Sequence, residues 1–516
     1  MHILNKLMKK LTDWFKKANL RLIHYVLLLY IFFIPLWPKL PFKTVSYTYI
    51  AIRYEDLFVV LIVLVFLYEL IRGRVKLFKN PLWVWITLYW VEIFISFLVG
   101  FYIFKSIITL QLGFLNAARR VEYMIVFFIA FAALENKQQF LLYLRSIVLV
   151  FFMVSVYGLG QKFFGWPAVQ TMNPAYSKGF ILILDGNSRI SSTFGGHYDF
   201  AAFLVFLMPV VLTSFIASKK WWRFLVFVVA LTALIVTASR VSFVAYLTAI
   251  IPLLIYLKKP KLLVSVIALT LILMPVSNNL TQRIKRTFQQ QQIWVDQSTG
   301  KTVVPRTITV DDLPPGDFTI GKQTTGALAT TVTSGDIAEV KQTIREAIMD
   351  SAQKSGKVVP VDQLNKMVDD AFARLKPASS IVADISFATR LQVEWPRAVK
   401  AFIKSPLVGL GPSSITEATD NDFLRSIGES GILGFALFFG TIAVITKKLW
   451  QQRKSKNRQY SLILIGIIFG TWGLIVNAAY IDVFEASKVA LFIWLVWGLM
   501  IKSTLLPQKE IEAVTI

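Results

Sequence analysis

The sequence contains no cysteine, which excludes disulfides, thiolate nucleophiles and cysteine-ligated metals. Histidine is nearly as scarce. His2, His24 and His197 are too few for a clustered histidine metal site. A Ser-His-Asp triad would have to use His197, and no nucleophile motif accompanies it. No metal and no organic cofactor is expected. Charge is sparse too: Asp, Glu, Lys and Arg make up 16% of the chain, where a soluble domain carries about 25%.

What fills the chain instead is apolar. Hydrophobic residues make up 55% of the 516 and aromatics 14%, including 41 Phe, and the mean hydropathy is +0.60. This composition suits lipid-facing helices with aromatic belts at the interfaces. A span needs about 20 mostly apolar residues to cross about 30 Å of hydrocarbon. Twelve segments are candidates: 22–37, 55–71, 81–100, 120–134, 141–160, 198–216, 221–238, 241–257, 262–277, 431–446, 460–478 and 487–503. The expected fold is an all-α polytopic membrane protein with about twelve transmembrane helices.

The net charge of +25 could point to nucleic acid, but its distribution points to topology. Residues 6–21 carry six Lys and Arg, 72–79 four and 447–458 six, all on one side if the N-terminus is cytoplasmic. The long segment 278–430, on the other side, carries 18 basic and 17 acidic residues and is nearly neutral. Positive charge on short cytoplasmic loops sets orientation, and long loops are exempt. The expected topology is N-in and C-in, with the long loop extracytoplasmic and the 504–516 tail cytoplasmic. Nucleic acid is not an expected partner; membrane lipid is. Residues 1–21 form a basic amphipathic segment expected on the inner leaflet. No small-residue cleavage site follows, so the first apolar segment is expected to remain as an anchor.

Within 278–430, residues 287–382 turn polar and predict a small soluble α+β insert. Ile293–Val310 reads as two strands around a Ser298-Thr299-Gly300 turn, and Pro314-Pro315-Gly316 as a further turn. Gly335–Lys354 and Pro360–Lys376 show helical spacing, with Asp336 and Asp362 near their starts. Residues 384–404 differ: Phe387, Leu391, Trp395, Val399 and Phe402 recur at helical spacing among Arg390, Arg397, Lys400 and Lys404. This predicts an interfacial amphipathic helix kinked by Pro396, with Arg390 and Arg397 on one face.

Four stretches follow one another here: the helix Arg390 to Phe402, the turn Pro406-Leu407-Val408-Gly409-Leu410-Gly411, the polar Asn421-Asp422-Phe423-Leu424, and Glu429-Ser430-Gly431-Ile432-Leu433-Gly434. Two more precede them, Arg189 to His197 and Thr237-Ala238-Ser239-Arg240. In this order the set resembles the O-antigen ligase and polymerase superfamily of bacterial envelope glycan assembly, over roughly residues 185–505 with the insert as an outlier. Ligases of that family carry a His where this chain has Asp420, which favours a polymerase or another glycan transferase over a ligase.

The resemblance implies a multi-pass protein of the bacterial cytoplasmic (inner) membrane. It implies a polyprenyl-pyrophosphate-linked glycan as donor and a glycan or lipid as acceptor. Such a reaction needs fixed positive charge on the leaving pyrophosphate and a base at the acceptor hydroxyl. Arginine suits the first task because its planar fork pairs phosphate oxygens and stays charged. Arg240, between two tightly joined spans and against the positive-inside bias, and Arg189, in a Gly-rich turn, are the sharpest candidates. Asp420, or Asp422, is the candidate base. Arg390, Arg397, His197, Asn421 and Glu429 are candidate substrate-binding residues. Each has a plainer role: lipid snorkelling for Arg390 and Arg397, helix capping for Glu429, a satisfied helix-start residue for His197. Arg119 and Arg120 read as a structural ion pair with Glu122, and Glu92 stands near the middle of the third span. A secondary transporter, glycan transfer to protein and a membrane scaffold are the competing readings, although no repeated halves are visible.

Overall fold

All twelve apolar segments are helical. The computed structural model describes residues 19–44, 51–75, 81–171, 181–184, 188–277, 280, 288–296, 302–303, 337–354, 360–383, 390–415 and 419–512. Residues 1–18 and the Ser298–Gly300 and Pro314–Gly316 turns lie outside these, and so do Gly335 and Asp336. The chain divides into two compact units, one formed by residues 1–283 and 394–516 and the other by 284–393.

The first unit opens with helix α1 (Leu22–Leu36), an antiparallel pair of strands β1 (Pro41–Thr44) and β2 (Ala51–Arg53), and helix α2 (Tyr54–Ile71). Helix α3 (Pro81–Leu98) ends in a π-helical turn, Val99–Ile103. Helices α4 (Leu110–Ala133) and α5 (Lys137–Phe163) follow, then a second small pair, β3 (Pro167–Ala168) and β4 (Leu182–Ile183). Helices α6 (His197–Ser218), α7 (Trp221–Val236), α8 (Arg240–Tyr256) and α9 (Pro260–Leu273) complete this half.

The second unit has a three-stranded antiparallel sheet in the order β6-β5-β7, built from β5 (Phe288–Asp296), β6 (Thr302–Val303) and β7 (Leu375–Ala383). Its helices α10 (Ile337–Lys354) and α11 (Val361–Ala373) pack through Ile344, Leu364 and Val368, with Leu375 of β7. The second helix was expected to run to Lys376. It stops at Ala373 because Leu375 onward pairs with β5, from Leu375 opposite Asp296 to Ala383 opposite Phe288.

The first unit resumes with α12 (Trp395–Lys404), α13 (Asp422–Gln452), α14 (Arg458–Ala478), α15 (Ser487–Ser503) and the short α16 (Gln508–Glu512). Pro396 lies where the helical stretch changes from π to α geometry. It occupies the first turn, where a missing N–H costs nothing, and a π-helical turn covers Arg390–Glu394 before it. The continuous α-helix that would have put Arg390 and Arg397 on one face is therefore absent. Helix α13 begins at Asp422, nine residues before the expected span at 431, and Gly431 (φ 61°, ψ −168°) breaks it into a short polar helix and a long apolar one.

Among the described residues, the expectation of about twelve spans is corrected to five helices long and apolar enough to cross a membrane: Pro81–Ile103, Lys137–Phe163, His197–Ser218, Asp422–Gln452 and Arg458–Ala478. Helices α1, α7, α8 and α9 hold 15, 16, 17 and 14 residues. At about 1.5 Å per residue they fall short of about 30 Å. Helices α2 and α4 are long enough but carry Glu55, Asp56 and Glu69, and Arg119, Arg120 and Glu122. Helix α15 has 17 residues, with Lys488 and Lys502.

Helix α15 is the centre of the bundle. Every residue from Ser487 to Ile501 is buried, with Trp494 and Trp497 among the largest enclosed side chains, and it packs against α1, α4, α6 and α13. The outside is apolar as well: Val60, Leu64 and Leu67 of α2, and Val84, Leu88 and Val91 of α3, are exposed. A bundle apolar both inside and out, with its backbone groups paired within helices, is suited to a bilayer. The molecule is a largely α-helical, multi-pass membrane protein with a small β-containing insert.

Helices α6 and α14 cross in close contact. A Cβ at Gly470 would strike the carbonyl of Phe206, and one at Gly466 would strike Thr213. Gly470→Ala is expected to cost about 1–3 kcal/mol by overpacking. Thermal unfolding of the detergent-solubilised protein reads this as a lowered midpoint, with an unchanged midpoint contradicting the close approach.

Candidate functional site

The glycine-rich turn at Pro406–Gly411 and the Glu429–Gly434 motif are two halves of one joint. Their backbones run side by side: Leu410 N–H donates to Gly428 O at 3.0 Å, Gly411 N–H to Glu429 O at 2.8 Å, and Ile432 N–H to Pro406 O at 2.8 Å. Gly409 (φ 70°) and Gly431 (φ 61°) both have left-handed backbones. A Cβ on Gly409 would fall on the backbone of Glu429, and one on Gly431 on the backbone of Leu407. The helix break at Gly431 is what lets its amide neighbours face the turn. Ser96 Oγ, from α3, donates to Glu429 O at 2.7 Å and ties the joint to the bundle.

Glu429 is 1% exposed, and its carboxylate lies in a buried ion network. Arg120 of α4 donates Nη2 to Glu429 Oε2 and to Glu485 Oε1, both at 2.6 Å. Arg425 places Nε 3.6 Å from Glu429 Oε1 and pairs Nη1 with Asp482 Oδ2 at 2.5 Å. Ser413 N–H donates to Glu429 Oε1 at 3.1 Å. Asp482 and Glu485 belong to the 479–486 connection between α14 and α15. Burial pushes the Asp482 carboxyl up to about 6 although Arg425 pulls it down. Burial also works against ionisation of Glu485, but Arg120 and Arg425 outweigh it and hold that carboxyl below its usual value. A cavity beside the network is polar toward Arg120, Asp422 and Arg425 and aromatic toward Phe438, Phe484 and Trp494.

Asn421 and Asp422 lock the start of α13 to the same connection. Asn421 Oδ1 accepts from Leu424 N–H at 3.0 Å, its Nδ2 donates to Ala479 O at 2.8 Å, and its N–H donates to Asp482 Oδ1 at 3.0 Å. Asp422 Oδ2 accepts from Val483 N–H at 2.7 Å and Phe484 N–H at 3.2 Å. Asp420 is half-buried with a left-handed backbone (φ 42°), close enough for its charge to act on Asp482 and on Asp199 of α6.

A second group of charges surrounds the start of α6. Arg189 Nη1 donates to His197 Nε2 at 2.6 Å, and its guanidinium lies 6.0 Å from the centre of the Tyr198 ring. Gly196 is the N-cap of α6 and has no side chain of its own to cap the helix, so the positive end of the helix dipole lies at the Gly195–His197 turn, with Asp199 in the first turn. Lys39 reaches Asp199 at 3.9 Å and packs over Gly195. Burial and Arg53 lower the Lys39 ammonium to about 8, with Asp199 opposing. Lys488 donates to Trp37 O and, at 2.8 Å, to Thr193 O, so the central helix holds both connections in place. Ser487 Oγ donates to Glu55 Oε1 at 2.8 Å.

These hydrogen bonds and ion pairs join Arg189 to His197, and Asn421 and Glu429 to one network, with Asp420 between the two groups. Arg240 opens α8 after Ser239, whose hydroxyl accepts from Ser242 N–H, and Ala238 before it is left-handed (φ 52°). Arg397 is half-buried on α12, two residues after Trp395, whose ring meets Tyr480 edge-on at 6.1 Å. Arg390 belongs to the second unit. Arg119 donates to Ala51 O, and Arg120 pairs with Glu429 and Glu485, so Arg120 is the structural cation expected but with distant partners. Glu92 is buried with neither carboxyl oxygen hydrogen-bonded. Sequence reasoning passed over Lys39, Asp199, Arg425, Asp482, Glu485 and Lys488. The available signal was two acidic residues in a short connection, Asp482 and Glu485, and a lysine one residue inside a span. Among the described residues no group of three or more His, Asp or Glu is placed to hold a metal ion.

Residues 225–439 match the family model described as O-antigen ligase. This region is O-antigen ligase-like. The match runs from α7 into α13, so it takes in Arg240, the glycine-rich turn and the Asn421–Gly434 motif, and it bears out the superfamily resemblance. It leaves Arg189 and His197 outside. A search of curated proteins finds no match.

The joint gives the ligase-like region a steric test. Gly409→Ala must displace Glu429 and combine overlap with a left-handed alanine, a strain of about 1–3 kcal/mol for the backbone alone. Folding yield and thermal midpoint are expected to fall, whereas Val408→Ala next to it leaves both nearly unchanged.

Proposed function

We propose that the protein transfers a glycan from a polyprenyl-pyrophosphate carrier to an acceptor hydroxyl at the outer face of the cytoplasmic membrane. The observation that carries the reading is the O-antigen ligase match on a bundle whose connecting segments gather cations and an aspartate at one end. The proposed topology is N-in and C-in, with the 278–430 segment outside. The basic segment 1–21 then lies on the inner leaflet.

The Gly195–His197 turn supports a diphosphate site. The N-terminus of α6, the Arg189 guanidinium and the Lys39 ammonium offer fixed positive charge in a partly dry setting, where leaving-group charge is best stabilised. Arg240, with Arg397 from the loop, is proposed to complete the grip on pyrophosphate and sugar. The acceptor hydroxyl attacks the anomeric carbon and its proton passes to Asp420. The carbon–oxygen bond to pyrophosphate breaks, and the electron pair leaves with the polyprenyl pyrophosphate. Asp420 suits the base role because it is half-buried, reachable, and held between the two charged groups. His197 orients Arg189. Asn421 and Glu429 act through structure, fixing the segment that carries Asp420. No step calls for a metal or organic cofactor.

Arg189→Ala, Arg240→Ala, Arg397→Ala and Asp420→Asn, expressed at wild-type level, are each expected to lower transfer from a purified lipid-linked donor by about 100-fold or more. Full activity in all four would sink the reading. The pH dependence follows from Lys39. Its charge is half lost at about 8 and fades over the pH units around it, so transfer is expected to decline as pH rises through about 8. Lys39→Arg keeps its charge and is expected to carry activity to higher pH, while an unshifted profile would remove Lys39 from the site.

A further inference from the structure

Helix α12 is inside out for a helix facing water. Its small residues Ala398 and Ala401 face the bundle, while Val399 is 40% and Ile403 70% exposed. Val399 and Ile403 stand one turn apart on one stripe, with the exposed Lys400 and Lys404 on the next. Leu407, in the turn just beyond, is 64% exposed. Burying alanines and displaying branched apolar side chains stabilises a helix only if something apolar covers the display.

The surroundings identify the cover. Lys404 Nζ lies 5.6 Å from the centre of the Phe104 ring, and Phe104 packs on Ala398, Ala401 and Leu410, so α12 is fixed to the segment after α3. Ile103, beside Phe104, is also exposed, at 69%. Residues 99–110 and 395–410 contain no Asp or Glu but carry Lys105, Arg397, Lys400 and Lys404. The patch sits at the ends of α3 and α13, both long and apolar enough to span a membrane, and the 406–411 turn is hydrogen-bonded to α13. Exposed aliphatic side chains beside unopposed lysines, at the end of two spans, match the boundary between headgroups and acyl chains of an anionic bilayer.

We infer that α12 is a membrane-seating helix for anionic phospholipid, with Val399, Ile403 and Leu407 below the headgroups and Lys400 and Lys404 against their phosphates. This seating sets the depth of the 406–411 turn and the joint behind it. The inference does not rest on the glycan-transfer reading, and each can fail alone.

The chain has no cysteine, so one introduced thiol is unique. The full-length Ile403→Cys protein, labelled with an environment-sensitive fluorophore, is placed in nanodiscs of phosphatidylcholine with or without phosphatidylglycerol. Labelled Lys509→Cys serves as a water-exposed reference. Lipids brominated near the top of the acyl chain are expected to quench the probe at 403. Aqueous iodide is expected to quench it severalfold less than at 509. Omitting phosphatidylglycerol, or combining Lys400→Glu with Lys404→Glu, is expected to weaken the bromolipid quenching severalfold. Iodide quenching equal to that at 509 overturns the proposal. So does shielding from both quenchers, which would mean that protein covers the patch. Bromolipid quenching indifferent to phosphatidylglycerol and to the lysines overturns the anionic assignment. Leu407→Cys repeats the measurement should position 403 not tolerate the label.

Discussion

Two buried arginines hold together the end of the bundle at which the proposed site lies. Arg120 binds Glu429 and Glu485, and Arg425 binds Asp482 and approaches Glu429. Charges taken out of water are costly unless partnered, and a partner removed leaves its mate uncompensated. The network therefore has little freedom to loosen by degrees. It fixes α4, the polar start of α13 and the 479–486 connection as one piece.

Other contacts take their position from that piece. Glu429 carries the carbonyl that receives Gly411 and Ser96, so the glycine-rich turn is set by the same residue whose carboxylate the arginines hold. Asp482 receives the Asn421 amide beside Asp420. On the far side of Asp420, Lys488 of the buried central helix ties Trp37 and Thr193, which flank Lys39 and the Gly195–His197 turn. The proposed base and diphosphate site do not need to be on one element. They need supports that do not move relative to each other, and here those supports are ion pairs and a helix buried all round.

Helix positions were legible in the sequence because hydropathy is a local property, and Leu22–Leu36 or Arg458–Ala478 declare themselves without reference to the rest. The start of α13 was not legible. Asp422–Ser430 is polar, and only distant partners, Asp482 and Arg120, make it affordable as a buried helix. Strand β7 was missed for a related reason, since its partner β5 lies some eighty residues earlier. Number of spans was overread because twelve apolar runs are not twelve lengths of about 30 Å. In the candidate site, the glycine motifs were recognised as a family pattern, but their physical reason, two left-handed glycines letting backbones touch, needed the fold. Arg120 and Glu429 were each given local roles, an ion pair with Glu122 and a helix cap, because spacing cannot show a partner some three hundred residues away.

The account stands on Arg120 and Glu429 being coupled in the folded protein, and a double-mutant cycle measures that directly. Unfolding free energies of wild type, Arg120→Met, Glu429→Gln and the double variant, in one detergent at one pH, give the coupling term. Each single change is predicted to cost about 3–5 kcal/mol and the double change far less than their sum, leaving a coupling of about 2 kcal/mol or more. Additivity within about 0.5 kcal/mol would mean the two side chains do not meet, and the support for the whole site would be gone.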